Sequence, residues 1–113
     1  MTRAKIHWRS LILELDGHAN AGKMGEDIVC AAESMLTQAL LQTLIDAERE
    51  KKVGLYWTGS PELGFLRIEA APAEEHRSEI RACFVLVVTG LRMLEEKYPQ
   101  YIRLEEVGTH GTV

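Results

Sequence analysis

Cys30 and His18 are the residues of this chain whose types can do covalent chemistry as a pair. They stand at the two ends of the stretch HANAGKMGEDIVC. A thiolate is a strong nucleophile and an imidazole is a base near neutral pH, so the two suffice for acyl transfer if the fold brings them together. Cys30 falls in the opening turns of an apolar-periodic segment that starts near Asp27. A thiol at a helix N-terminus feels the unpaired N–H groups and the helix dipole, which favour the thiolate. The competing use of Cys30 is as a small buried core residue, and that of His18 is as a surface loop residue. Asp27 has two uses as well. It can cap the helix, or accept the histidine proton and fix its tautomer. Ser34 lies one turn beyond Cys30 on the same helix face. Zinc is a further use of Cys30, His18 and Asp27, but no HxxxH or CxxC spacing supplies a ligand set, so no metal is expected. Cys83 stands beside Phe84 within a second helical pattern and reads as core.

The elements that must position the pair follow from periodicity. Residues 4–9 and 11–16 read as strands of a first hairpin, with Leu11, Leu13 and Leu15 on one face. Gly17, Gly22 and Gly25 mark the loop that carries His18. The first helix has Ile28, Ala31, Ala32, Met35, Leu36, Ala39, Leu40 and Leu44 at helical spacing. Residues 53–58 and 65–70 form a second hairpin around GSPELG. A second helix starts near Ala73 or Glu74, with Ile80, Phe84, Val87, Leu91 and Leu94 as its apolar stripe. YIRLEEV is a last strand, and residues 109–113 read as a flexible tail. The order β-β-α-β-β-α-β predicts an α+β two-layer sandwich. Both helices should pack on one face of a mainly antiparallel sheet, in one domain spanning residues 1–108.

Bulk properties exclude several classes. The 113 residues are enough for one core without disulfide staples. Thirteen basic against 17 acidic side chains leave a net charge of −4 with no basic cluster, which argues against a nucleic-acid partner. Two cysteines make no secreted framework. The start MTRAKIHWRS lacks the apolar stretch of a signal peptide, and no apolar run is expected to span a bilayer. A soluble cytoplasmic protein with reduced thiols is the expectation.

GHA, a glycine-bearing loop, then G-x-DIVCAA-x-S form a distinctive ordered pattern: Gly17-His18-Ala19, Gly22, Gly25, Asp27-Ile28-Val29-Cys30-Ala31-Ala32 and Ser34. It resembles the bacterial ribosomal-processing cysteine protease family called Prp, and the element order extends the likeness over nearly the whole chain. The resemblance implies a cofactor-free cysteine endopeptidase. Such an enzyme removes an N-terminal extension from a large-subunit ribosomal protein, cutting after aromatic residues, and acts as a homodimer. By carry-over, Cys30 is the nucleophile and His18 the general base, with Asp27 and Ser34 in support. Asn20, Gly22 and Gly25 belong to a loop that gates the substrate. Met35, Tyr56 and Trp57 are candidate groove residues, each equally suited to the core. Three features depart from the family pattern: Glu33 stands where a small or apolar residue is usual, Met24 where a polar or aromatic one is, and the first hairpin is short. The alternatives are a phage-type relative processing a phage structural protein, a module that binds such proteins without cutting them, and a purely structural oligomer subunit.

Overall fold

The computed structural model describes residues 1–17, 24–60 and 64–108, with the backbone alone over 24–27. Two strands open the chain, β1 (Thr2–His7) and β2 (Ile12–Asp16), followed by helix α1 (Met24–Arg49). Strands β3 (Val53–Ser60) and β4 (Phe65–Pro72), helix α2 (Arg77–Lys97) and strand β5 (Ile102–Val107) complete the fold. A single 3-10 turn, Glu74–His76, leads into α2. The strands form one sheet in the order β3-β4-β2-β1-β5. Only the β1–β5 pair is parallel. The expected α+β sandwich with a mainly antiparallel sheet is the observed architecture.

Register explains why the two helices share one side. Ala4 and Ile6 of β1 oppose Leu15 and Leu13 of β2. Those leucines in turn oppose Leu66 and Ile68 of β4. Alternation sends all of these side chains to one face. There they join Val29, Leu40 and Leu44 of α1 and Ile80, Phe84, Val88 and Leu91 of α2 in one core. The opposite face carries the intervening charged residues, including the His7–Glu14 pair at 3.0 Å and the Arg67–Glu69 pair at 3.1 Å. The helices also meet each other closely: a Cβ on Gly90 would come within 2.9 Å of the Leu36 side-chain tip. Trp8 closes the far end. It is buried beneath the Arg81 guanidinium, 5.3 Å from its ring centroid, and its indole N–H donates to Glu106 at 2.9 Å.

Three expectations for α1 are corrected. The helix begins at Met24, three residues before Asp27. Asp27 therefore lies inside the first turn rather than capping it, and Gly25 is helical. The inward line also differs over its first half: Val29, Glu33 and Thr37 are buried there, while Leu40 and Leu44 are buried as expected, with Ala47 beyond them. Ile28 and Met35, assigned to the core stripe by periodicity, are 50% and 68% exposed. The segment is apolar around most of its circumference, so hydrophobicity alone does not fix which line faces the sheet. For the same reason Ile28–Arg49 is long and apolar enough, by length and composition, to cross a bilayer. In this fold its Leu40 and Leu44 cover the sheet instead.

Gly17 ends β2 with φ 110°, and its N–H donates to the Gly64 carbonyl at 2.9 Å. A Cβ here would collide with the Met1 carbonyl oxygen. Gly17→Ala should therefore cost about 1–3 kcal/mol, read as a lower urea midpoint with an unchanged slope. An unaltered midpoint would show that this strand end tolerates a side chain.

Candidate active site

Cys30, Glu33, Ser34 and Thr37 recur at i, i+3, i+4 and i+7, so they occupy one face of α1. That face changes character along its length. Its C-terminal part continues as Leu40, Leu44 and Ala47 against the sheet. Its first part lines a cleft with Thr2, Leu15, Gly17, Ser60, Gly64, Phe65 and Leu66. The cleft has a volume of about 30 Å³, enough for one or two water-sized groups. It lies where β1 begins, β2 ends and the β3–β4 connection returns. A larger concavity of about 740 Å³ crosses the other sheet face over Arg3, Lys5, Glu14 and Arg103. It offers charge but no nucleophile among its lining residues.

Two of the residues expected from the sequence meet in the small cleft. Cys30 is half-buried on its wall, and Ser34 lines the same wall one turn on. His18, Asn20 and Gly22 lie outside the described residues, as does the 109–113 tail. His18 is nonetheless the residue directly after Gly17, which is itself part of the cleft lining. Asp27 is placed by its backbone in the first turn of α1, one turn before Cys30. The unpaired N–H groups of α1 belong to its first four residues, Met24–Asp27, and not to Cys30. Met35, Tyr56 and Trp57 do not line the cleft, and Phe65 does. Cys83 is only half-buried. Its thiol donates to the Glu79 carbonyl at 3.5 Å, and burial, followed by the Glu79 charge, pushes its pKa up. No group of three or more His, Cys, Asp and Glu side chains among the described residues could hold a metal ion.

The residue that the sequence gives no reason to place here is Glu33. It is 6% exposed. Its Oε1 accepts a hydrogen bond from the Thr2 hydroxyl at 2.8 Å. Its Oε2 is buried without a partner among the described residues. Thr2 is held in turn by the residue before β5, since its N–H donates to the Tyr101 carbonyl at 2.9 Å. Burial pushes the Glu33 carboxyl up to about 7, against smaller opposing effects from the Thr2 hydrogen bond and the chain's amino terminus. The i+3 spacing puts Glu33 on the same helix face as Cys30, but nothing in the sequence shows that this face is buried.

A two-layer sandwich with a cysteine on the wall of a cleft between helix and sheet is the frame of a small cysteine protease. The family model described as Cysteine protease Prp matches residues 1–103. The chain belongs to that family and is a cysteine protease. It is similar to the essential ribosomal processing protease Prp of S. aureus in complex with a covalently linked product peptide. The identity is 23% and the TM-score 0.76, over 94% of this chain and 99% of that one. The same S. aureus protease with a substrate peptide gives 22% identity and a TM-score of 0.75 over the same shares. SMU.848 from Streptococcus mutans gives 23% and 0.70, over 96% of this chain and 93% of that one. Among curated proteins none matches.

The Glu33 carboxyl makes folding pH-dependent. Its pKa rises from an ordinary 4.5 to about 7 on folding, so between those values the folded chain binds more protons than the unfolded one. This contribution is complete below pH 4.5 and is lost as pH rises through about 7. The loss totals on the order of 3 kcal/mol. Glu33→Gln removes the ionisation. The stability difference between the variant and the parent chain should therefore shift in the variant's favour from pH 5 to pH 8 in chemical denaturation. A difference constant over that range would show that the carboxyl titrates normally.

Proposed function

We propose that this chain is a Cys–His endopeptidase that removes an N-terminal extension from a large-subunit ribosomal protein, cutting after aromatic residues. The observation that carries this reading is the position of Cys30 on the wall of a cleft that Gly17, the residue before His18 in the sequence, also lines. The similarity to a ribosomal processing protease that holds a peptide supports the substrate class. Residues 1–108 act as one catalytic domain, working in the cytoplasm as a homodimer. Leu86 and Met93, exposed on one face of α2 at i and i+7, are apolar surface available to a second copy.

In this mechanism His18 takes the thiol proton and the Cys30 sulfur attacks the scissile carbonyl carbon. The tetrahedral species collapses as the C–N bond breaks, and His18 gives its proton to the leaving amine. A thioester remains. His18 then deprotonates a water, which adds to the thioester carbonyl, and the thiolate leaves with the carboxylate product released. Phe65 on the cleft rim offers an aromatic face to the residue before the cut. Asp27 and Ser34 keep supporting roles, and Asn20 and Gly22 keep substrate gating on the strength of the sequence pattern, with Gly25 in the first turn of α1 where that loop ends.

Two measurements test the assignment. Cys30→Ala should abolish cleavage of a peptide from the ribosomal protein's N-terminus, followed by mass spectrometry, with the thermal transition retained; His18→Ala should do the same. Full cleavage by either variant would sink the dyad. Iodoacetamide at pH 6 should label Cys30 far faster than Cys83, whose pKa is raised by burial. Equal, slow labelling would point instead to a module that binds without cutting.

A further inference from the structure

Glu33 is out of place as a core residue. A helix that only had to cover the sheet would carry an apolar side chain at this point of its inward line, as it does at Leu40 and Leu44. The carboxyl is instead 94% buried, given its 6% exposure, and is fixed at one oxygen by Thr2. The second oxygen has no partner among the described residues and belongs to a side chain that lines the cleft. A buried polar atom without a partner is costly, and a guest that supplies the missing hydrogen bond removes that cost.

We propose that Glu33 is a specificity-determining residue that hydrogen-bonds a small polar side-chain head, a hydroxyl or carboxamide, of the peptide seated beside Cys30. The inference rests on the endopeptidase reading and adds a residue to it. The cleft beside Glu33 is small and open on one side, so it takes the polar end of a side chain more readily than a bulky apolar one. Glu33 stands at i+3 from Cys30, so a head bonded to it lies one helical turn from the sulfur. Below pH 7 the carboxyl is chiefly the neutral acid. It then offers an O–H donor as well as lone pairs, and that combination matches a hydroxyl or an amide. The other titratable groups on this side, among the described residues, are Cys30 and the amino terminus of Met1. A site built to bond a polar head rejects the analogue that lacks it, because its own polar atom is then left unpaired.

The test reads binding without the thiol. Peptides sharing an aromatic pair, with each flanking residue set in turn to Ser, Gln, Ala or Val, are titrated at pH 6 against Cys30→Ala by fluorescence anisotropy. The titration is repeated with Glu33→Val or Glu33→Gln added. At one position the Ser or Gln peptide should bind about tenfold or more tighter than its Ala or Val counterpart. Glu33→Val should bring that ratio to within about twofold, while Glu33→Gln, which keeps a donor and an acceptor, should retain most of it. If Glu33→Val does not fold, Glu33→Ala replaces it. Equal affinities at every position, a preference that survives loss of the carboxyl, or no binding at all would overturn the proposal. Failure of the intact chain to cut any of these peptides would sink the endopeptidase reading while leaving the binding preference to stand or fall separately.

Discussion

The single apolar face of the five-stranded sheet is the constraint from which the rest of the molecule follows. Ile6, Leu13, Ile68 and Ile102 come from four different strands and are fully buried on it. Covering them is the dominant favourable term, at about 1.5–3 kcal/mol for each large apolar side chain buried. Two helices of 26 and 21 residues do the covering, and both must lie on that side. The parallel β1–β5 pairing fixes the rest of the geometry. It joins the first strand to the last, sets Thr2 opposite Ile102, and brings the start of the chain beneath the first half of α1.

That arrangement makes the site. The inward line of α1 is apolar over the middle of the sheet and polar near the ends of β1, β2 and β4. The change falls between Thr37 and Leu40. The Thr37 hydroxyl donates back to the Glu33 carbonyl at 2.9 Å, so it needs nothing from the cleft. Glu33 has only half of its hydrogen-bonding capacity met, by Thr2. Leaving a buried polar atom unmatched typically costs about 1–3 kcal/mol. The fold carries that cost within one helical turn of Cys30, on the wall of the cleft.

Much of this was legible in the residues. Alternation in LILELD and FLRIEA, the stripe from Ile80 to Leu91 and the turn signal at GSPELG specify five strands and two helices in the right order. They do so because periods of 2 and 3.6 respond directly to one buried face. The ordered residues from Gly17 to Ser34 carried the family, since so long an ordered pattern around a Cys and a His is distinctive. The orientation of α1 was not legible. With Ile28, Val29, Ala31, Met35, Leu36 and Leu40 distributed around it, more than one line passes for apolar; periodicity placed Leu40 and Leu44 correctly but put Ile28 and Met35 inward in place of Val29 and Glu33.

The sequence by itself determined the element order, the fold class and the family, because these depend on local pattern and residue type. Only the tertiary structure decided what surrounds the thiol. Thr2 and Glu33 are 31 residues apart and meet through a hydrogen bond. Phe65 reaches the cleft because β4 pairs with β2 at Asp16. Glu33 is a buried acid rather than a solvated one because helix rotation turned it inward. Burial and long-range pairing arise from the packing of whole elements, so no short stretch of sequence contains them.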